Sequence, residues 1–70
     1  MELYSHSRYK GFLLFVEAYE VQDEVLGSTW VYEGVAQHNG TTYYTSKSYI
    51  SGGLAEAVLK GLIDIHFEEE

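Results

Sequence analysis

The segment Thr29–Ile50, TWVYEGVAQHNGTTYYTSKSYI, constrains the fold more than any other part of this chain. It places the dipeptide Asn39-Gly40 between two runs that are rich in Tyr, Thr and Val. Asn and Gly tolerate the two positive φ angles of a type I′ turn, and such a dipeptide between β-prone runs is typical of a β-hairpin. We therefore predict strands over Thr29–Gln37 and Thr42–Ser51.

Both faces of this predicted hairpin carry apolar side chains. A two-residue turn pairs His38 with Thr41, and successive residues of a strand point to opposite faces. The further predicted pairs are Ala36 with Tyr43, Val35 with Tyr44, and Trp30 with Tyr49. One face then holds Trp30, Tyr32, Ala36, Tyr43 and Tyr49, and the other holds Val31, Val35, Tyr44 and Ile50. A single helix can cover only one of these faces, so the other is expected to meet a second copy or a partner protein.

The length of the chain sets a limit on its stability. Seventy residues form one small domain at most, which we place at 1–70. A core of this size is marginal unless disulfides, a metal or oligomerisation support it. The chain has no cysteine, which excludes disulfides, thiolate zinc sites and cysteine nucleophiles. Oligomerisation, or a metal site built without cysteine, is therefore the support that the sequence leaves open.

The charge balance narrows the classes of partner. Eleven acidic residues stand against four basic ones, which gives a formal net charge of −7. Proteins that bind nucleic acids or anionic membranes draw affinity from Lys and Arg, and this chain has few of either. An acidic surface favours solubility and basic partners, and it can imitate a nucleic-acid backbone.

The sequence shows neither a secretory signal peptide nor an apolar run long enough to span a membrane. The absence of cysteine fits a reducing compartment. We therefore expect a complete chain that resides in the cytoplasm.

The first half of the chain contains another strand. Residues 1–9 show no clean periodicity and are interpreted as an N-terminal arm that either pairs or frays. Lys10–Gln22 is apolar on both sides, which is typical of a strand covered on both faces. Its alternating sets are Phe12, Leu14, Val16 and Ala18, and Leu13, Phe15, Tyr19 and Val21. Gly34, in the middle of the following strand, predicts a bulge or a close backbone approach.

A C-terminal helix is predicted after Ser51-Gly52-Gly53, which can cap it. Its main apolar stripe is Leu54, Val58, Leu62 and Ile65, widened by Ala55, Leu59, Ile63 and Phe67. An alternative interpretation ends the helix at Gly61, a natural C-terminal capping residue, and makes 62–68 a fourth strand. We favour the longer helix, because its length matches the preceding strand better. Residues 68–70 are interpreted as an acidic tail.

No motif with a catalytic or cofactor-binding mechanism is present. The chain lacks a phosphate-binding glycine loop, HExxH and GxSxG. Asp64, His66 and Glu68 would share a side, and could hold a metal, only if their segment were extended. Glu33, predicted opposite Ser46, shares its strand face with Val31 and Val35, so its carboxylate would need partners if that face were buried. We expect no enzyme activity, no cofactor and no metal.

The predicted order of three strands and a helix, together with Gly53-Leu54-Ala55-Glu56-Ala57 at the helix start, resembles the HicB-like antitoxin domains. Those domains carry a segment with Pro and Gly before the helix, whereas this chain has no proline. The resemblance therefore concerns the order of elements and transfers no functional residue.

We predict an α+β domain with a three-stranded antiparallel meander followed by one helix. The expected function is a small cytoplasmic protein-interaction or regulatory module that forms a homodimer, sheet face to sheet face or through the helix. The predicted interface residues are Trp30, Tyr32, Tyr43, Tyr49, Ile63 and Phe67. One alternative is an acidic inhibitor or nucleic-acid mimic that blocks a basic protein partner. Another is a binder of single-stranded nucleic acid that uses the tyrosines as a stacking platform.

Overall fold

The computed structural model describes residues 2–25 and 27–67. The described chain forms four strands and then one helix. They are β1 (Glu2–Tyr9), β2 (Phe12–Asp23), β3 (Gly27–His38), β4 (Thr41–Tyr44) and α1 (Gly52–His66). The strands make one antiparallel sheet in the order β1-β2-β3-β4, so the predicted α+β architecture is confirmed.

Two-residue turns join β1 to β2 and β3 to β4. At the second turn, Asn39 and Gly40 have φ angles of 42° and 84°, as a type I′ turn requires. Lys10 and Gly11 adopt nearly the same angles, 50° and 85°, at the first turn. The predicted pairs next to Asn39-Gly40 are confirmed, including Val35 with Tyr44.

The N-terminal arm is a full strand of the sheet. β1 pairs antiparallel with β2 from Glu2, opposite Ala18, to Tyr9, opposite Phe12. The register shifts between Leu3 and Ser5, which marks a bulge. The N-terminal segment is therefore the fourth strand of the sheet and forms one edge of it. The sequence alone did not decide whether this segment pairs or frays.

The predicted strand Thr42–Ser51 is too long, because regular pairing ends at Tyr44. The Thr45 hydroxyl accepts a hydrogen bond from the Gly34 amide at 3.1 Å, and the Thr45 amide donates to the Gly34 carbonyl at 3.0 Å. The chain then loops out, and Tyr49 pairs with Tyr32.

That loop corrects two predicted pairs. Tyr49 lies opposite Tyr32 and not opposite Trp30. Glu33 lies opposite Glu17 of β2, and Ser46 is in the loop outside the ladder. The physical reason is that the side chain and backbone of Thr45 both bind Gly34, which interrupts the alternation on which both predictions rested.

The longer helix is confirmed. The Ser51 hydroxyl caps it by accepting from the Leu54 amide at 3.3 Å, and the helix runs to His66. The interpretation of 62–68 as a strand is wrong up to His66, and Phe67 is the C-terminal cap. The acidic tail, 68–70, lies outside the described residues. No helix in the described chain is long and apolar enough to cross a membrane.

The helix faces the sheet through a different stripe from the one predicted. Its fully buried residues are Ala55, Leu59 and Ile63, whereas Leu54 and Ile65 are 48% and 75% exposed. A Cβ atom added to Gly34 would lie 2.6 Å from Leu59 Cδ1, so the missing side chain of this glycine leaves space for Leu59. This is the close approach that a glycine in mid-strand predicts.

The core lies between the helix and one face of the sheet, which we call the inner face. Its central cluster comprises Phe12, Leu14, Ala36, Leu59 and Ile63, with Tyr9, Tyr43 and Phe67 packed around it. The molecule is elongated, with extents of 48 × 20 × 18 Å.

Candidate interaction surface

The six predicted interface residues lie on the inner side of the sheet or on the helix, and several of them belong to the core. Ile63 is fully buried, so it is not available for a contact with another molecule. Tyr43 stacks on Phe12 with ring centroids 5.5 Å apart, and Phe67 packs edge-on against the same ring at 4.9 Å. These three residues contribute to the internal packing.

Trp30, Tyr32 and Tyr49 lie outside the central core cluster. Trp30 is 43% exposed, and Tyr32 packs edge-on against Tyr4 with centroids 4.9 Å apart. The Tyr4 ring also lies against Gly52, where an added Cβ atom would overlap it. A shallow cavity of about 300 Å³ opens here. Its lining residues are Glu2, Leu3, Tyr4, Ala18, Trp30 and Tyr32.

No helix of residues 2–25 or 27–67 lies over the opposite face of the sheet, which we call the outer face. Its side chains form rows that run across the strands, because each residue pairs with a residue of the neighbouring strand that points to the same face. The central row is His6, Phe15, Val35 and Tyr44. The row toward the two-residue turns is Arg8, Leu13, Gln37 and Thr42. The row on the other side is Leu3, Glu17 and Glu33.

The central part of the outer face is apolar and accessible. Tyr44 is 66% exposed and Leu13 is 38% exposed, while Phe15 and Val35 are half-buried. The residues of β2 that alternate with these, such as Leu14, are buried against the helix. The outer face therefore exposes apolar area that no element among residues 2–25 and 27–67 covers.

Glu17 and Glu33 face each other directly across β2 and β3. Like charges in this position repel and destabilise a sheet. Glu33 is near the Tyr19 hydroxyl, and a hydrogen bond to this carboxylate is the main reason that the pKa of Tyr19 is raised. Tyr19 also shares a hydrogen bond of 2.7 Å with Ser48, which fixes the loop after β4 to this face.

The basic residues show how the charge is distributed. Lys10 forms an ion pair with Asp64 at 2.6 Å, and Lys60 lies 3.7 Å from Glu56. Lys47 lies over the ring of Tyr49. Arg8, on the outer face, has no ion pair or ring contact within the described chain. It is therefore an available cation two residues along the strand from the central row.

Metal-binding geometry is not found among the described residues, which contain no group of three or more His, Asp or Glu side chains placed to hold an ion. Helical geometry explains why Asp64 and His66 do not converge. Asp64 lies against Lys10 and Tyr9, while His66 lies near Tyr43. Glu68, the third member of the hypothetical site, lies outside the described residues.

The sequence indicated that the second side of β2 is apolar, but it did not single out Arg8 or the Glu17–Glu33 pair. The signal that could have found them is the register between β1, β2 and β3, which no local pattern supplies. Comparison with models of protein families, with curated proteins and with solved structures finds no match to this chain. The resemblance to HicB-like domains accordingly stays limited to the order of elements.

Proposed function

We propose that this chain is a small cytoplasmic protein-interaction or regulatory module, and that its outer face is the binding surface. The observation that carries this proposal is the uncovered central row, in which Tyr44 is 66% exposed beside half-buried Phe15 and Val35. Protein interfaces favour aromatic residues at an apolar centre with polar residues around it. Arg8, Gln37 and Thr42 form one polar border here, and the two glutamates form the other.

A protein suits this face better than a nucleic acid does. The chain carries a net charge of −7, and Arg8 is the single Lys or Arg side chain in the three rows of the outer face. The tyrosines that would form a stacking platform point to the other side, where Tyr43 packs in the core and Tyr32 packs on Tyr4. Such a platform needs bases to reach free ring faces within a basic groove.

The Glu17–Glu33 pair favours a second candidate, an inhibitor of a basic protein. Two carboxylates side by side can accept a Lys or Arg side chain from a partner, and this contact would weaken strongly with salt. A contact dominated by the central row would instead depend little on salt, because it buries apolar area. The salt dependence of binding therefore distinguishes the two candidates.

Photo-crosslinking tests the surface. A photoreactive phenylalanine analogue replaces Tyr44 on the outer face or, as the matched control, Ile65 on the helix, which is 75% exposed. We expect protein adducts from position 44 and few from position 65 in the cells that produce the chain. If position 44 yields no protein adduct while position 65 does, the outer face is not the binding surface.

A further inference from the structure

The outer face carries opposite charges on the two sides of its central row. Arg8 pairs with Leu13 of β2, which lies two residues before Phe15 of the central row. Glu17, which pairs with Leu3, lies two residues after Phe15, on the other side of that row. Neither side chain has an ion-pair partner within residues 2–25 and 27–67. The face is therefore arranged so that its two halves complement each other, with the central row of His6, Phe15, Val35 and Tyr44 between them.

We infer that the outer face binds a second copy of this chain, sheet against sheet, about a two-fold axis that runs across the strands along the central row. This inference rests on the proposed function of the outer face and names its partner. Each Arg8 then lies beside Glu17 of the other copy, and the contact contains two equivalent ion pairs.

The geometry follows from the symmetry. A two-fold axis across the strands reverses the strand direction in the second copy. Each strand then lies opposite the same strand of the other copy. The central row meets its own copy, with Val35 facing Val35. The row of Arg8 lies over the row of Glu17, and the two residues are offset by one strand, about 4.8 Å. Packed sheets are about 10 Å apart, a distance that an arginine side chain bridges.

Charge selects this axis among the symmetric alternatives. An axis parallel to the strands would place the Glu17–Glu33 pair of one copy against the same pair of the other. Four carboxylates would then lose water with no cation beside them, which is costly. The axis along the central row supplies each Glu17 with a guanidinium and places Gln37, an amide donor, over Glu33.

The overlap is limited to about three rows. The loop that Ser48 fixes to Tyr19 borders the face on the side away from the turns. An interface of this size is at the small end of specific contacts, below about 1,200 Å², where association is weak. We expect a dissociation constant on the order of micromolar, so the oligomeric state should depend on concentration.

Charge reversal tests the ion pairs. Arg8→Glu alone should leave a monomer at concentrations where the wild type is a dimer. Glu17→Arg should also dissociate the dimer, although it removes the repulsion from Glu33 within one chain and so stabilises the fold. The double variant with both changes should restore association. We expect each single change to raise the dissociation constant at least about 30-fold, measured by sedimentation equilibrium.

A crosslinking measurement keeps the test decisive if the double variant folds poorly. The natural chain has no cysteine, so a single introduced thiol is unique. Val35→Cys should give a covalent dimer with a short bis-maleimide, because two copies of this residue face each other. Val21→Cys is the matched control on β2. It lies six residues from Phe15, so its two copies would be about 40 Å apart, and it should not crosslink.

The outcomes separate the inference from the function on which it rests. A wild type that stays monomeric at about 100-fold above the expected micromolar range overturns the homodimer. Adducts of Tyr44 with a different protein would then still support the interaction module. A dimer that neither single reversal weakens, or that crosslinks at Val21 and not at Val35, overturns the proposed axis. If position 44 yields no adduct at all, both the homodimer and the role of the outer face as a binding surface are contradicted.

Discussion

The two faces of the sheet are formed by alternate residues of the same strands, but different interactions dominate them: close packing on the inner face and charge on the outer face. On β2, Leu14 is 1% exposed under the helix, whereas the next residue toward the turn, Leu13, is 38% exposed. The inner face is selected by shape, since Gly34 leaves the space that Leu59 fills. The outer face has half-buried apolar residues between Arg8 and two glutamates. One helix thus decides which apolar side becomes the core, and the charged residues are arranged on the side that it leaves uncovered.

The largest expected effect removes core volume from the inner side. Ile63→Ala should lower the free energy of unfolding by about 2–5 kcal/mol, because Ile63 is fully buried and a cavity would remain. Ile65→Ala is the control, two residues along the same helix and 75% exposed. It should change stability by about 0.5 kcal/mol or less. Urea denaturation followed by circular dichroism measures both, and equal effects would contradict the assigned burial.

The glycines test whether shape selects the inner face. Gly34→Ala should destabilise the fold by about 1–3 kcal/mol, because the new methyl group overlaps Leu59 in the core. Gly61→Ala, in the helix with nothing within 4 Å of the added atom, should instead stabilise by about 0.5–1 kcal/mol. Thermal and urea unfolding of the two variants should therefore shift in opposite directions. A stabilising Gly34→Ala would mean that helix and sheet are not tightly packed there.

The Glu17–Glu33 pair tests whether charge governs the outer face. In dilute protein, Glu17→Gln should stabilise the single chain by about 0.2–1 kcal/mol, because it removes a repulsion between directly opposed carboxylates. The gain should shrink as salt is added. Glu20→Gln, an exposed residue of β2 opposite Trp30, is the control and should have little effect. A gain that is independent of salt would rule out repulsion as its cause.

The smallest effect concerns the exposed edge between the β1–β2 turn and the helix. The Lys10 ammonium, and next the Tyr9 hydroxyl, bind Asp64 and hold the pKa of this carboxyl below its usual 3.8. A lowered pKa in the folded state means that the stabilisation is complete above the usual carboxyl pKa and is lost as the pH falls through the lower value.

Asp64→Asn should accordingly lower the melting temperature slightly at neutral pH, and the difference from the wild type should close in acid. Glu20→Gln again serves as a control, since it removes a carboxylate that has no ion pair or side-chain hydrogen bond of this kind among the described residues. Differential scanning calorimetry between pH 7 and pH 2 measures the difference. A difference that stays constant over this range would show that Asp64 does not act through its charge.

The local parts of this structure were predictable from the sequence. Asn39-Gly40 predicted the hairpin and the register beside it, because a two-residue turn leaves one way to pair the flanking residues. Ser51 predicted the start of the helix, and Gly34 predicted a close approach. The pairing of β1 was not predictable, because nothing local in residues 1–9 distinguishes a free arm from an edge strand.

The candidate surface was less predictable than the fold. The sequence placed apolar residues on both sides of β2 and β3, but it assigned the interface to tyrosines that the helix side uses for packing. The stripe of the helix that meets the sheet was also misjudged, because Leu54 and Ile65 are as apolar as Leu59. The choice between the stripes depends on the space above Gly34, which exists only after strand and helix have met.

The sequence alone predicts the antiparallel meander, the C-terminal helix, the acidic character and the excess of apolar strand faces over helices that could cover them. These follow from turn chemistry, periodicity and composition, which act over a few residues. Three further features arise only in the folded chain. β1 forms one edge of the sheet, Thr45 ends β4 by binding Gly34, and Glu17 lies opposite Glu33 on the same face as Arg8. Those features depend on which strands become neighbours and in what register, so residues distant in sequence must come together before the contacts exist.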